Sequence, residues 1–289
     1  MIDIHQHLNF WGRSNEDFIQ HQKDLGALLT VLLPSDGYSD LTAKVTGPEE
    51  AYQFCRKHEG FLFAANAPNW KEDVQDRVAH YLDKGAKLIG EIKFDSPGDS
   101  SDLWAYAEVA QQYKVPILIH FQHCKGTRLK GFEKTLQRFP DVNFIGHATQ
   151  WWNERDGITN KLMKKYPNLY GDISAGSGYA ALTKDGAAKF LYKYQDRLLF
   201  GSDCNCSKFK PFWHGNNHIR PLPCSGCNIV NNVKKLTNKT VIKKILYKNT
   251  EKLLGVRMEP DTKVGRFKYR KRIKKNKTLI QKFKGKLLK

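Results

Sequence analysis

Two histidines, His5 and His7, stand two residues apart beside the apolar run that opens the chain. In an extended strand residues i and i+2 point to the same side, so both imidazoles can address one point. Glu91 stands within a later apolar run, and His120, His147 and Asp203 stand at the ends of others. Imidazole nitrogens and carboxylate oxygens around one cavity suit Zn²⁺, Mn²⁺ or Fe²⁺. One histidine at a strand end is ordinarily a hydrogen-bonded core or rim residue. A whole set at one end of several strands would suffer costly desolvation without a cation to compensate. The expected metal ligands are therefore His5, His7, Glu91, His120, His147 and Asp203, or a subset, around one or two divalent ions, with zinc ahead of manganese or iron.

Positioning such a set requires several strands ending together. Apolar, β-branched runs recur at Ile2–His7, Ala27–Leu33, Phe61–Asn66, Lys87–Phe94, Pro116–Phe121, Val142–His147, Leu169–Ile173 and Arg197–Asp203. Leu28 to Leu33 is nearly apolar on both faces, as strands covered by helices are. Between them lie helical stripes, among them Val74, Val78, Tyr81 and Leu82, then Leu103, Ala107, Ala110 and Lys114. Ser14 before Glu16 and Asp17 reads as a helix start. A closing helix is expected over Thr240–Leu253, with Gly255 past its end. Eight alternations of strand and helix predict an α/β fold, a (β/α)8 TIM barrel. The competing open doubly wound sheet calls for a glycine-rich turn after the first strand. His5-Gln6-His7-Leu8-Asn9 has none. Barrel active sites lie at the C-terminal ends of the strands, where these polar residues stand.

The 289 residues suffice for one such barrel. No stretch approaches the roughly 20 apolar residues of a membrane span, and the N-terminus lacks a basic, then apolar, leader pattern, so a cytoplasmic location is expected. Net charge is +19, but residues 263–289 hold 13 Lys or Arg and no Asp or Glu; 19 less 13 leaves +6 on the rest. Domains are thus expected at 1–258, the barrel, and 259–289, a basic tail.

With the motifs placed, a family resemblance emerges. Ile2-Asp3-Ile4-His5-Gln6-His7, Pro116 to His120, Phe144-Ile145-Gly146-His147, Leu198 to Asp203, and Asn249 with Leu253-Leu254-Gly255 resemble the amidohydrolase superfamily over residues 2 to about 256. The similarity is to the amidohydrolase-related branch, with aminocarboxymuconate-semialdehyde decarboxylase-like enzymes and lactone hydrolases. It implies that His5, His7 and His120 are metal ligands and that Asp203 takes a proton from the metal's water. It also implies that His147 binds a second metal or polarises a substrate carbonyl. Gly90-Glu91-Ile92-Lys93 is similar to the fourth strand of the TatD-like branch, whose carboxylate bridges two metals; other branches use a carboxylated lysine there, which would be Lys93. Glu91 ranks first, and Lys93 otherwise contacts substrate or pairs with Asp95. The activity implied is metal-dependent hydrolysis of a small carbonyl or carboxylated substrate, with decarboxylation or TatD-like nuclease action as the alternatives.

Other features sit near the expected mouth. Trp151, after His147, is expected to stack on substrate, the competing reading being helix packing; His123 is a pocket or surface residue. His218 and Arg220, in a long loop over 204–239, are expected to hold a substrate carboxylate if that loop covers the site. Cys204, Cys206, Cys224 and Cys227 in the same loop could bind a structural zinc, reduced thiols being the default. In the tail, Ile280, Phe283 and Leu287 share a helical face among lysines. That segment is a disordered tail or an amphipathic helix for an anionic membrane surface or nucleic acid. The remaining partners expected are a small-molecule substrate and a second copy in a homodimer.

Overall fold

The computed structural model of the chain describes residues 1–36, 43–124, 126–206, 224–260 and 267–269. Each expected apolar run forms a strand: β1 Ile2–Gln6, β2 Leu29–Leu32, β3 Phe61–Phe63, β4 Ile89–Ile92, β5 Ile117–His120, β6 Phe144–His147, β7 Leu169–Ile173 and β8 Leu198–Phe200. All neighbouring pairs within the two ladders, β1-β2-β3 and β4-β5-β6-β7-β8, are parallel. Two seams join these arcs into the ring of a (β/α)8 barrel. Between β3 and β4, Lys87 N donates to Phe63 O, Ala65 N to Leu88 O and Gly90 N to Ala65 O. Between β8 and β1, Asp203 N donates to His5 O at 2.9 Å.

Strand alternation divides the apolar residues into two layers. Ile2, Ile4, Val31, Leu118, Ile145 and Leu199 fill the barrel axis. Phe63, Ile89, Ile117, Phe144, Leu198 and Phe200 face outward and are covered by helices. The expected helical stripes form part of that cover: Val78, Leu82, Leu103, Ala107 and Ala110 are all buried. Ser14 caps the helix Asn15–Leu25, its Oγ accepting from Asp17 N, and Gly26 ends it in the left-handed conformation at φ 77°. Lys114, the last member of the Leu103 stripe, instead terminates its helix at φ 55°.

Two expectations change. The stretch 204–239, read as one loop, contains a helix over Ser225–Leu236 whose Ile229, Val230 and Val233 are buried. The closing helix is broken into Lys239–Lys243, a π turn at Lys244–Lys248, and Asn249–Leu254, ending at Gly255 as expected. Across the expected boundary between barrel and tail, Met258–Pro260 pairs antiparallel with Phe267–Tyr269. Ile280, Phe283 and Leu287 lie outside the described residues, as do His218 and Arg220. No helix among the described residues is long and apolar enough to cross a membrane.

Candidate metal centre

The ligand-bearing strands do not keep strict alternation. Ile2 and Ile4 point to the axis, which by period two would turn His5 outward into the helix layer. A register shift between Asp3 and Gln6 intervenes. His5 and His7 then face the axis, while Gln6 turns away toward Ser202. β4 repeats the device: Leu88 points in and Ile89 out, and the register shifts before Ile92, so that Glu91 faces the axis. Gly90, at φ 140°, makes this turn, a conformation that suits glycine. A Cβ there would come within 2.6 Å of Leu118 O. His120 and His147 sit opposite each other in register on β5 and β6.

Five side chains converge at the C-terminal mouth. His5 Nε2 lies 3.2 Å from His7 Nε2, 3.7 Å from Glu91 Oε2 and 3.7 Å from Asp203 Oδ1. His7 Nε2 lies 3.6 Å from Glu91 Oε2 and 3.5 Å from Asp203 Oδ1. His147 Nε2 lies 3.6 Å from Glu91 Oε1 and 3.5 Å from Asp203 Oδ2. A tetrahedral ion with bonds of about 2.0–2.1 Å separates its ligand atoms by about 3.3–3.4 Å. The observed separations bracket that value, so these residues fit a divalent cation. His120 stands beside this group: Nδ1 contacts Glu91 Oε1 at 2.5 Å and Nε2 contacts Gln122 Oε1 at 2.8 Å.

Each of the three inner imidazoles is anchored through its far nitrogen. His7 Nδ1 donates to Leu33 O at 2.7 Å. His5 Nδ1 donates to Asp172 Oδ2 at 2.7 Å. His147 Nδ1 donates to Ser174 Oγ, whose hydroxyl donates in turn to Asp172 Oδ2, both at 2.7 Å. An imidazole held by Nδ1–H presents an Nε2 lone pair to a metal. Asp172 and Ser174 were not singled out in the sequence. Their signal is the alternation of β7, where Tyr170 and Asp172 fall on the axial side and a buried carboxylate needs a partner.

Electrostatics follow from this crowding. Burial alone would raise Glu91, but Lys93, His120 and His5 outweigh it and hold the carboxyl well below its usual range. Asp203 is likewise held low against burial, by His5, His147 and His7. Burial would lower His5, but Asp203, Asp172 and Glu91 raise it well above the ordinary imidazole value. Burial and the neighbouring His5 lower His147.

Exposure marks the open side. His5, His7, Glu91 and His147 are at most 4% exposed, whereas Asp203 is 15%, His120 14% and Lys93 22%. Lys93 Nζ lies 3.9 Å from Glu91 Oε2 on that rim. Trp151 does not: it is wholly buried, stacked on Phe121 and filling the space a Cβ on Gly146 would need, at 2.5 Å. Its expected place at the mouth is corrected to the layer between barrel and helices. His123 Nδ1 contacts Gln150 Nε2 at 3.2 Å, outside the cluster.

Residues 2–256 match the family described as Amidohydrolase. No curated relative matches the chain in sequence. Among solved structures, the chain is similar to a TatD homologue from Escherichia coli K12, at TM-score 0.58 and 14% identity over 88% of this chain and 98% of that one. It is also similar to a 2,6-dihydroxybenzoate decarboxylase from Rhizobium, at TM-score 0.54 and 12% identity over 86% and 90%. A third is the 5-carboxyvanillate decarboxylase from Novosphingobium aromaticivorans, solved with manganese, at TM-score 0.53 and 12% identity over 82% and 79%. At these identities the likeness is one of fold.

Proposed function

The chain belongs to the amidohydrolase family, and we propose that within it this protein is a metal-dependent hydrolase of a small carbonyl or carboxylated substrate. The observation that carries this reading is the convergence of three anchored imidazoles with two carboxylates at ligand spacing. His5, His7, Glu91, His147 and Asp203 would hold the cation, with His120 as a further donor. Glu91 Oε2 faces His5 and His7 while Oε1 faces His120 and His147, so the donors would suffice for a second ion. A divalent cation would supply Lewis acidity there, enough to bring deprotonation of water into the neutral range.

The chain's own groups then have separate tasks. Asp203, ionised and on the open side, takes a proton from water and returns it to the leaving group. His147, shifted toward its neutral form by burial and by His5 and with its Nδ1–H committed to Ser174, offers its Nε2 lone pair to the cation. Lys93 on the rim supplies a positive charge for an anionic substrate group. Barrel walls of Ile4, Leu33 and Leu118 exclude water from below.

Purified protein loaded with Zn²⁺ or Mn²⁺ is expected to hydrolyse members of a panel of lactones, esters and amides. Asp203→Asn should lower kcat by about 10²–10⁴-fold, the usual worth of a positioned acid–base group. CO₂ release from hydroxybenzoates without hydrolysis would reassign the protein as a decarboxylase. Phosphodiester cleavage with Mg²⁺ or Mn²⁺ would reassign it as a TatD-like nuclease. Turnover undiminished in His5→Ala and Asp203→Asn would remove the basis of all three.

A further inference from the structure

On the helix side of the β8–β1 seam lies a second group of donors, separate from the centre at the mouth. His21 on the helix Asn15–Leu25, Cys204 and Cys206 beyond β8, and Cys224 capping the helix Ser225–Leu236 each bring a ligand atom within 4.8 Å of the others. His21 Nε2 lies 3.1 Å from Cys204 Sγ and 3.2 Å from Cys224 Sγ, and those two sulfurs are 3.7 Å apart. Zinc bonds to thiolate at about 2.3 Å, which sets tetrahedral sulfur–sulfur separations of about 3.8 Å. The observed sulfur spacing is that of ligands sharing an ion, far beyond the roughly 2.0 Å of a disulfide bond.

We propose that His21, Cys204, Cys206 and Cys224 form a tetrahedral Cys3His site for zinc, structural in role. Four protein ligands fill the coordination shell and leave no position for substrate, as in closed structural sites. Three thiols release their protons to solvent on binding, giving Zn²⁺ with three thiolates a net charge of −1. Compensation stands beside it: the buried Arg13 guanidinium donates through Nη1 to Cys204 O at 2.9 Å and to Cys206 O at 3.4 Å. A backbone N–H also points at Cys224 Sγ, that of Cys227 at 3.5 Å. Such donors stabilise a thiolate at a helix N-terminus. Cys227, the fourth cysteine of the sequence pattern, is exposed and lies outside the ligand group; His21 takes its place.

The site would tie two distant segments, the helix bearing His21 and the helix capped by Cys224, to the end of β8. Cys204 follows Asp203 directly, and its carbonyl also accepts from Gln6 Nε2 at 3.0 Å, between His5 and His7. Cys206 and Cys224 bracket residues 207–223. The zinc would thus pin both flanks of that segment and hold the Asp203 end of β8 against β1.

The test is metal content and cobalt spectroscopy on the reduced full chain. In wild type, and in His5→Ala/Asp203→Asn, Co²⁺ substitution should produce intense thiolate-to-cobalt charge-transfer absorption with tetrahedral visible bands. Cys227→Ser should retain that spectrum and its zinc. Cys224→Ser and His21→Ala should lose one zinc equivalent per chain and alter or abolish the bands, with circular dichroism checking that the variants fold. Should neither fold, wild type and Cys227→Ser still decide the matter. Absence of thiolate bands in wild type, loss of them in Cys227→Ser, or a Cys204–Cys224 disulfide found by mass spectrometry in protein purified without reductant would overturn the proposal. Loss of the thiolate bands in His5→Ala/Asp203→Asn alone would show that the thiolate group does not hold metal independently of the mouth and would overturn the proposal of a separate site.

Discussion

At the scale of single residues, Asp172 carries the greatest leverage without facing the expected cation. It receives His5 Nδ1 directly and His147 Nδ1 through Ser174. Outer partners of this kind are typically worth 10–100-fold in metal affinity. Asp172→Asn should therefore weaken Zn²⁺ binding by about that factor. The pH dependence has a definite sign. In the metal-free protein Asp203, Asp172 and Glu91 raise His5 against burial, so a cation competes with a proton for its Nε2. Affinity should rise with pH, and calorimetry in buffers of different ionisation enthalpy should detect proton release. For the metal-free fold the sign reverses: a raised imidazole contributes stability fully present below its unfolded value near 6.5, lost as pH rises through the folded value. Binding without proton release at pH 7 would contradict this assignment.

At the scale of elements, His5, His7, His120, His147 and Asp203 were legible because each ends an apolar run, and barrels gather such ends. What the sequence did not disclose was the irregularity that aims them. Counted by twos from Ile2 or Leu88, His5 and Glu91 fall on the wrong face; only the register shifts in β1 and β4 restore them. Asp172 went unnoticed because it acts through another side chain and carries no ligand spacing of its own. His21 escaped because its partner Cys204 is 183 residues away. Trp151 misled for a related reason: its position after β6 suggested the mouth, but Gly146 leaves a slot that the indole fills. Trp151→Ala should cost about 3–5 kcal/mol in urea unfolding, as large buried aromatics do, with KM unchanged for any substrate turned over. A raised KM with undiminished stability would return Trp151 to the substrate.

At the scale of the whole molecule, the two seams are unequal. β3 and β4 share three backbone hydrogen bonds, whereas β8 and β1 rely chiefly on side chains. Asp3 accepts from Ser202 N at 2.9 Å, from Ser202 Oγ, and from Gln22 Nε2 at 3.1 Å. Gln6 donates to Ser202 Oγ at 2.6 Å, and Arg13 donates to Gln6 Oε1 at 2.6 Å. Asp3→Ala leaves buried donors unpaired at about 1–3 kcal/mol each. It should lower the melting temperature and weaken cation binding together, since His5 and Asp203 flank the seam. A melting loss with unaltered cation affinity would show the seam and the centre to be independent.

That seam also dates the birth of the site. Asp3 and Ser202 are 199 residues apart, and His5 and Asp172 are 167. A growing chain can assemble its early helices and strands on the ribosome, yet His5 lacks Asp172 until the seventh strand is made, and the cluster lacks Asp203 until the eighth is complete. Ion capture at the mouth therefore reports completion of the barrel, and a fragment stopping short of Asp203 should be helical in part but unable to take up the cation.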